Sequence, residues 1–375
     1  MRKSLPFGVA FCVASLALMA ALPVLWGPSE PDDASPGTAA PTAAPTAAPD
    51  APAPTDDASA HDHEVPLTDP WWYATVHGEG ALAQVFAIDG NGRVIGPVLG
   101  PLPADQPAMD ELRGIIALGD GRLAVMNAKS TATRVMLFGP PDAKTGIRPY
   151  QGIWTQKGDA NPALVHPYQI LVGPDGNLYA GNQDTNTITR YAGLGSPKRG
   201  QPLPIPDELA SFGTLFPGTV VPNDQQSPEG IGLVRGFSFG PDGNLYVCDR
   251  GHECVAIYSP RTGRLLGTLL TTEHGLKHPI QVLFAKDGSC AYISDNHVNC
   301  VWQVDLASRR VKQLVRPGSG GLTAASSLAI RDHVLYVGSR ESQEILKYDL
   351  KTGRFLGVFA KLPGNPEFFI AVNQQ

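Results

Sequence analysis

An excess of basic residues is missing from this chain: over 375 residues the formal net charge is -6. Nucleic acid wants a basic face, so that class of partner is excluded from the expectations. No Cys-x-x-Cys pair occurs among the five cysteines, which leaves thiolate metal binding without its usual frame. Large apolar residues are almost absent from residues 28–60, where Ala, Pro, Thr and Asp dominate. That stretch cannot bury a core, and residues 28–66 read as a disordered, semi-extended linker. His61-Asp-His63-Glu64 at its end reads as solvated polar sequence. No complete catalytic set can be assembled from the sequence.

What is there begins with Met1-Arg-Lys3 and an apolar run from Leu5 to Trp26. A positive start followed by an apolar core is an export signal. The run is about as long as the ~20 residues that span a bilayer. Leu18 and Met19 precede Ala20 and Ala21, which makes a poor cleavage site. Residues 1–27 are therefore an uncleaved anchor, with Arg2 and Lys3 inside, or a cleaved signal peptide. Either way the expected location is periplasmic or extracellular, with contact to the membrane only through this segment. Cys12 reads as a small apolar residue of that run.

The organising feature is a repeat. Gly173-Pro-Asp-Gly-Asn-Leu-Tyr-Ala180 returns as Gly240-Pro-Asp-Gly-Asn-Leu-Tyr-Val247, then as Ala285-Lys-Asp-Gly288 and Arg331-Asp-His-Val-Leu-Tyr-Val337 with their apolar sequels. Each copy reads as strand, turn, strand, polar loop, strand. A period of about 45 residues with four short strands per unit marks propeller blades. One interval is longer and holds an insertion from Gly200 to Gly232. Gly (41) and Pro (35) are abundant, as many tight turns require. The expected blades are Leu112–Trp154, Tyr168–Leu203, Val234–Leu270, Ile280–Val315 and Ala324–Phe359. A sixth is composite. Trp72-Tyr-Ala-Thr-Val76 has no first strand before it, and Pro366-Glu-Phe-Phe-Ile-Ala-Val372 is a first strand with nothing after it. Joining them closes the ring and removes an open sheet edge. The expected fold is all-β: a six-bladed β-propeller of four-stranded antiparallel blades over residues 67–375.

The motif Gly-Pro-Asp-Gly-Asn-Leu-Tyr-Val-x-Asp, with an Asn-x-Ile-x-x-Tyr sequel, resembles the NHL repeat and the wider six-bladed group of SMP-30/gluconolactonase and strictosidine-synthase-like proteins. The resemblance runs from about Trp71 to the end. It implies a propeller, and it implies either a scaffold that binds partners or a metal-dependent hydrolase or lyase. In the lactonases of that group a Glu, an Asn and an Asp in the channel hold the ion. Here Arg235 and Tyr168 occupy the places where the Asn is expected, and the Glu-Gly pair of Ser227-Pro-Glu-Gly-Ile231 lies inside the insertion. His166 and His278 precede Pro at first-strand entrances, without the spacing of the His-dependent lyases.

In a propeller the first strands line the channel, and their entrances share a face with the loops between second and third strands. The candidate ligand-binding residues on that face are Arg113, Asn127, Tyr168, Asn182, Arg235, Asp249, His252, Asp295 and His297. Two arginines could grip a carboxylate or phosphate. Asp249 with His252, or Asp295 with His297, could orient an imidazole or hold one divalent ion such as Ca²⁺ or Zn²⁺. The competing reading is that Asn127, Asn182, Asp249 and Asp295 cap strand ends, and that the arginines pair with such groups. The expected partner is a small molecule, glycan or protein. Of the four later cysteines, Cys248 and Cys254 flank one hairpin loop and are the expected disulfide; Cys254 with Cys300 is the alternative.

Overall fold

In the computed structural model the described residues are 72–210 and 215–372. The chain divides into two units, Met1–Ala60 and His61–Gln375, and every described residue belongs to the second. The expected export segment, the linker with His61 and His63, Cys12 and Trp71 lie outside the described residues.

Turn chemistry defines the repeat. The Asp175 carboxylate accepts hydrogen bonds from the Asn177 N–H and the Tyr179 hydroxyl, each at 3.1 Å. Gly176 takes φ +72°, which is easy only without a Cβ. The copy at Asp242 repeats this, with Asn244 N–H and Tyr246 hydroxyl each at 3.1 Å. Each Gly-Pro-Asp-Gly-Asn-Leu-Tyr motif is thus a hairpin turn locked by its own aspartate.

The described residues form six four-stranded antiparallel sheets. The strands of blade 1 from the N-terminal side are β1 (Trp72–His77), β2 (Val85–Ile88) and β3 (Val94–Pro97). Blade 2 holds β4 (Leu112–Ala117), β5 (Leu123–Asn127), β6 (Arg134–Phe138) and β7 (Tyr150–Gln156). Blade 3 holds β8 (Pro167–Val172), β9 (Leu178–Asn182), β10 (Thr187–Tyr191) and β11 (Thr219–Val221). Blade 4 holds β12 (Val234–Phe239), β13 (Leu245–Asp249), β14 (Cys254–Tyr258) and β15 (Leu265–Leu270). Blade 5 holds β16 (Pro279–Phe284), β17 (Cys290–Asp295), β18 (Cys300–Asp305) and β19 (Val311–Val315). Blade 6 holds β20 (Ala325–Arg331), β21 (Val334–Ser339), β22 (Glu344–Asp349) and β23 (Phe355–Lys361). Finally β24 (Asn365–Ala371) joins blade 1 as its inner strand, pairing with β1 from Trp72↔Ala371 to His77↔Asn365. This is the six-bladed propeller with the expected closure.

The core lies between blades. One apolar cluster joins Val247, Val255's neighbour Cys254 and Tyr258 of blade 4 to Tyr179 and Ile188 of blade 3; the next joins Cys248 and Val255 of blade 4 to Ile293, Cys300 and Trp302 of blade 5. Successive inner strands touch around the axis. They do so closely: a Cβ on Gly236 of β12 would lie 2.5 Å from the Ile280 carbonyl oxygen of β16.

Two expectations are corrected. Blade 3 takes its outer strand from the insertion, with Ile188↔Val221 and Thr189↔Thr219, and not from the segment ending at Leu203. Pro202 takes one ladder donor from that segment, which touches β10 only at an isolated bridge, while Thr219-Val-Val221 is β-branched. The Cys248–Cys254 disulfide does not form; Cys248, Cys254, Cys290 and Cys300 are all free. Cys248 faces Val255 and Asp249 faces Cys254 across the hairpin. Neighbouring strand residues point to opposite faces, so the two thiols lie on opposite sides of blade 4, in different inter-blade clusters. The alternative partners Cys254 and Cys300 are likewise separated by the thickness of that blade.

Candidate functional site at the channel mouth

Every inner strand is bulged at the same place. Leu112 pairs with Asn127 and Ile115 with Val125, so β4 carries one surplus residue. The same shift occurs in β8, β12, β16 and β20, and in β24 opposite Thr75 and Val76. A bulge takes a residue out of the ladder and re-aims its side chain. The residues at this phase are Arg113, Tyr168, Arg235, Ile280, Ser326 and Glu367. All are buried, from 0% exposure for Glu367 and Ser326 to 5% for Arg235.

These side chains converge on the axis. Tyr168 of blade 3 meets Phe368 of blade 1 edge-on at 5.2 Å, and those blades are not neighbours. The guanidinium groups of Arg113 and Arg235 lie over the Tyr168 ring at 5.5 and 5.6 Å. Arg113 donates to Gln183 Oε1 at 3.1 Å. Arg340, just beyond β21, donates from Nη2 to Glu367 Oε1 at 2.9 Å, and His77 Nδ1 lies 3.2 Å from the same oxygen. Burial alone would raise the Glu367 carboxyl, but Arg340, His77 and Arg113 outweigh it and bring it down to about 2. Burial, with the Glu367 charge beside it, pushes the Tyr168 phenol far up, against the pull of the three arginines. Glu367 is therefore an anion and Tyr168 a neutral phenol at physiological pH.

Side chains two positions along the inner strands staple the ring. Gln169 Oε1 accepts the Phe237 N–H of the next blade at 2.8 Å, Gln281 Oε1 the Leu328 N–H at 2.6 Å, and Ser327 Oγ the Phe369 N–H at 3.2 Å. The bulge would otherwise leave those donors without partners.

The strand-end residues do different work. Asp249 accepts the backbone N–H groups of Gly232, Leu233, Gly251 and His252 at 2.9–3.2 Å. Asp295 accepts those of Lys277, His278, His297 and Val298 at 2.9–3.1 Å. Asn127 accepts the Asp110 N–H at 2.7 Å, and Asn182 donates to Thr189 Oγ1 at 2.9 Å. All four are fully buried. A carboxylate has about four acceptor sites, and in Asp249 and Asp295 backbone donors take them. These residues do not fit as ligands of a channel metal, and no group of three or more metal-ligating side chains occurs among the described residues.

The structure brings Asp249 and His252 together, Oδ2 to Nδ1 at 2.7 Å, with the His252 side chain half exposed. It does not join Asp295 to the His297 imidazole, which packs instead on the His278 ring at 4.8 Å. On the rim His166 lies 3.0 Å from Asp184 and 3.6 Å from Glu111, and Lys129 lies 3.3 Å from Asp110. The sequence reading missed Glu367, Arg340 and His77. Pro366-Glu367 is in phase with Pro167-Tyr168 and Pro279-Ile280, so Glu367 was within reach of the repeat. Arg340 and His77 carry no such signal.

No family model matches the chain, and no curated protein matches it. Solved structures do resemble it. A protein of unknown function from Bacteroides caccae has TM-score 0.52 and 13% identity over 82% of this chain and 100% of its own. A structure of the nidogen/laminin complex has TM-score 0.53 and 12% identity, covering 82% and 99%. A protein from Lactobacillus plantarum has TM-score 0.51 and 14% identity, covering 78% and 83%. At such identities the likeness is one of fold, and function has to be argued from the site.

Proposed function

We propose that this chain is an exported, NHL-like propeller that binds a ligand at the mouth of its channel and is not itself a catalyst. The axial ring carries this reading. Ile280 and Ser326 show that apolar or small residues can occupy a bulge position. Replacing buried ion clusters with well-packed apolar residues is often neutral or stabilising. A ring serving only as filler gains nothing from Arg113, Arg235 and Glu367, whereas a ring that recognises a ligand needs them. The hydrolase alternative has less support, because Asp249 and Asp295 are engaged by the backbone. Export is supported by Met1-Arg-Lys3 and the apolar run after it, which also supports tethering to the membrane.

A thermal-shift screen of the full chain against acids, amines, sugars and lactones tests the reading. At least one class should raise the melting temperature, and the Arg113→Met/Arg235→Met double variant should lose that response while staying folded. Turnover of a lactone with Ca²⁺, Mn²⁺ or Zn²⁺, abolished in Asp249→Ala, would replace the binding reading with the hydrolase.

A further inference from the structure

We propose that the insertion of blade 3 holds a second binding site, a groove for a free medium-chain fatty acid. The groove lies at the outer edge of the blade and does not depend on the reading of the channel mouth. It arises from the way the insertion meets β10. The Leu203 N–H donates to the Arg190 carbonyl at 3.0 Å, and the Arg190 N–H donates to the Gly218 carbonyl at 2.8 Å. The departing arm, residues 201–205, and the returning arm, residues 215–218, are thus both fastened at one residue of the strand. The cavity that the two arms line has a volume of about 490 Å³, within the ~300–1,000 Å³ of small-molecule sites. Pro202, Pro204 and Pro217 fix φ in the arms. Walls set before binding lose little freedom when a ligand arrives.

The lining states the chemistry of the occupant. Leu203, Ile205 and Leu215 are half-buried, so each leaves apolar surface that an alkyl chain can cover. Lys198 is the single charged residue of the lining. It is exposed, and its ammonium has no ion-pair or hydrogen-bond partner among the described residues. Gln201 adds an amide donor. The Lys198 stem can lie along apolar surface while its ammonium meets an anion. An apolar trough with one unmatched cation suits one carboxylate on an aliphatic tail.

The test uses the full chain, with the free ligand concentration fixed by dialysis. The Trp154 indole N–H donates to the carbonyl of Ala192 at 3.1 Å, and Ala192 lines the groove. Its signal in proton–nitrogen correlation spectra, assigned with Trp154→Phe, should shift as the groove fills. The probes are hexanoate, octanoate and octylamine. Octanoate should bind about tenfold more tightly than hexanoate, the gain from two buried methylenes. Octylamine should bind about fivefold more weakly than octanoate, and Lys198→Glu should reverse that order. Equal affinity for hexanoate and octanoate overturns the alkyl groove. Octylamine binding as tightly as octanoate, or an unchanged order in Lys198→Glu, overturns the carboxylate. A thermal response to octanoate with an unmoved Trp154 signal puts the acid elsewhere, which overturns the groove and leaves the channel reading standing. Silence from all three probes, with another class raising the melting temperature, does the same.

Discussion

Glu367 is the residue whose state most affects the site. Its carboxyl is held at about 2 against an ordinary value of 4.5, so its contribution to stability is present above 4.5 and is lost as pH falls through about 2. Wild type should therefore lose stability in chemical unfolding between pH 5 and pH 2 more steeply than Glu367→Gln (window from the same two values). At pH 7 the variant should be destabilised by ~3 kcal/mol, because it leaves Arg340 beside an uncharged partner. Equal acid sensitivity of the two proteins would show that the ion pair is not formed. The cysteines give a second residue-scale prediction. Burial, with Asp249 adding to it, pushes the Cys254 thiol up to about 12, and burial raises Cys248 and Cys300 as well. Native protein should react slowly with thiol reagents at these three positions. In denaturant without reductant Cys248, Cys254, Cys290 and Cys300 should all be alkylated, and a Cys248–Cys254 peptide in the mass map would contradict the structure.

At the scale of the strand, the inner bulges and their staples act together. The bulge frees an N–H and turns a side chain to the axis; a Gln or Ser of the preceding blade takes up the N–H. Gln281→Leu keeps the side chain's bulk and removes the acceptor for the Leu328 N–H, 2.6 Å away. The expected loss is about 1–3 kcal/mol, the penalty for a buried unpaired donor, read from denaturant unfolding. A loss no larger than that of an exposed substitution would mean that the staple is dispensable. The elements were well foreshadowed by the sequence, because the turn residues and the alternation are local. The outer strand of blade 3 was not. Its pairing is set by which later segment can run along β10, and Pro202 limits the nearer one to an isolated bridge.

For the whole molecule, closure is the main question. The inner strand of blade 1 comes from the C-terminal end and pairs with β1 along its length, so Glu367 reaches the axis only if the ring closes. Ending the chain before Asn365 removes that strand and exposes β1 as an edge open to pairing with other chains. The truncated protein should elute as aggregate in size-exclusion chromatography and lose cooperative unfolding. A soluble monomer with a wild-type melting temperature would mean that closure contributes little.

The sequence alone was enough for the repeat, the blade count and the joining of the two ends, since each depends on short-range turn chemistry and on one phase carried round the ring. It also placed Arg113, Tyr168, Arg235 and Ile280 at the entrances. Tertiary structure decided the rest. It gave the lone pairs of Asp249 and Asp295 to backbone donors, put Cys248 and Cys254 on opposite faces of one blade, and set Arg340 and His77 against Glu367. Those outcomes depend on which residues of neighbouring blades arrive beside them, and strand periodicity within one blade carries no information about its neighbour.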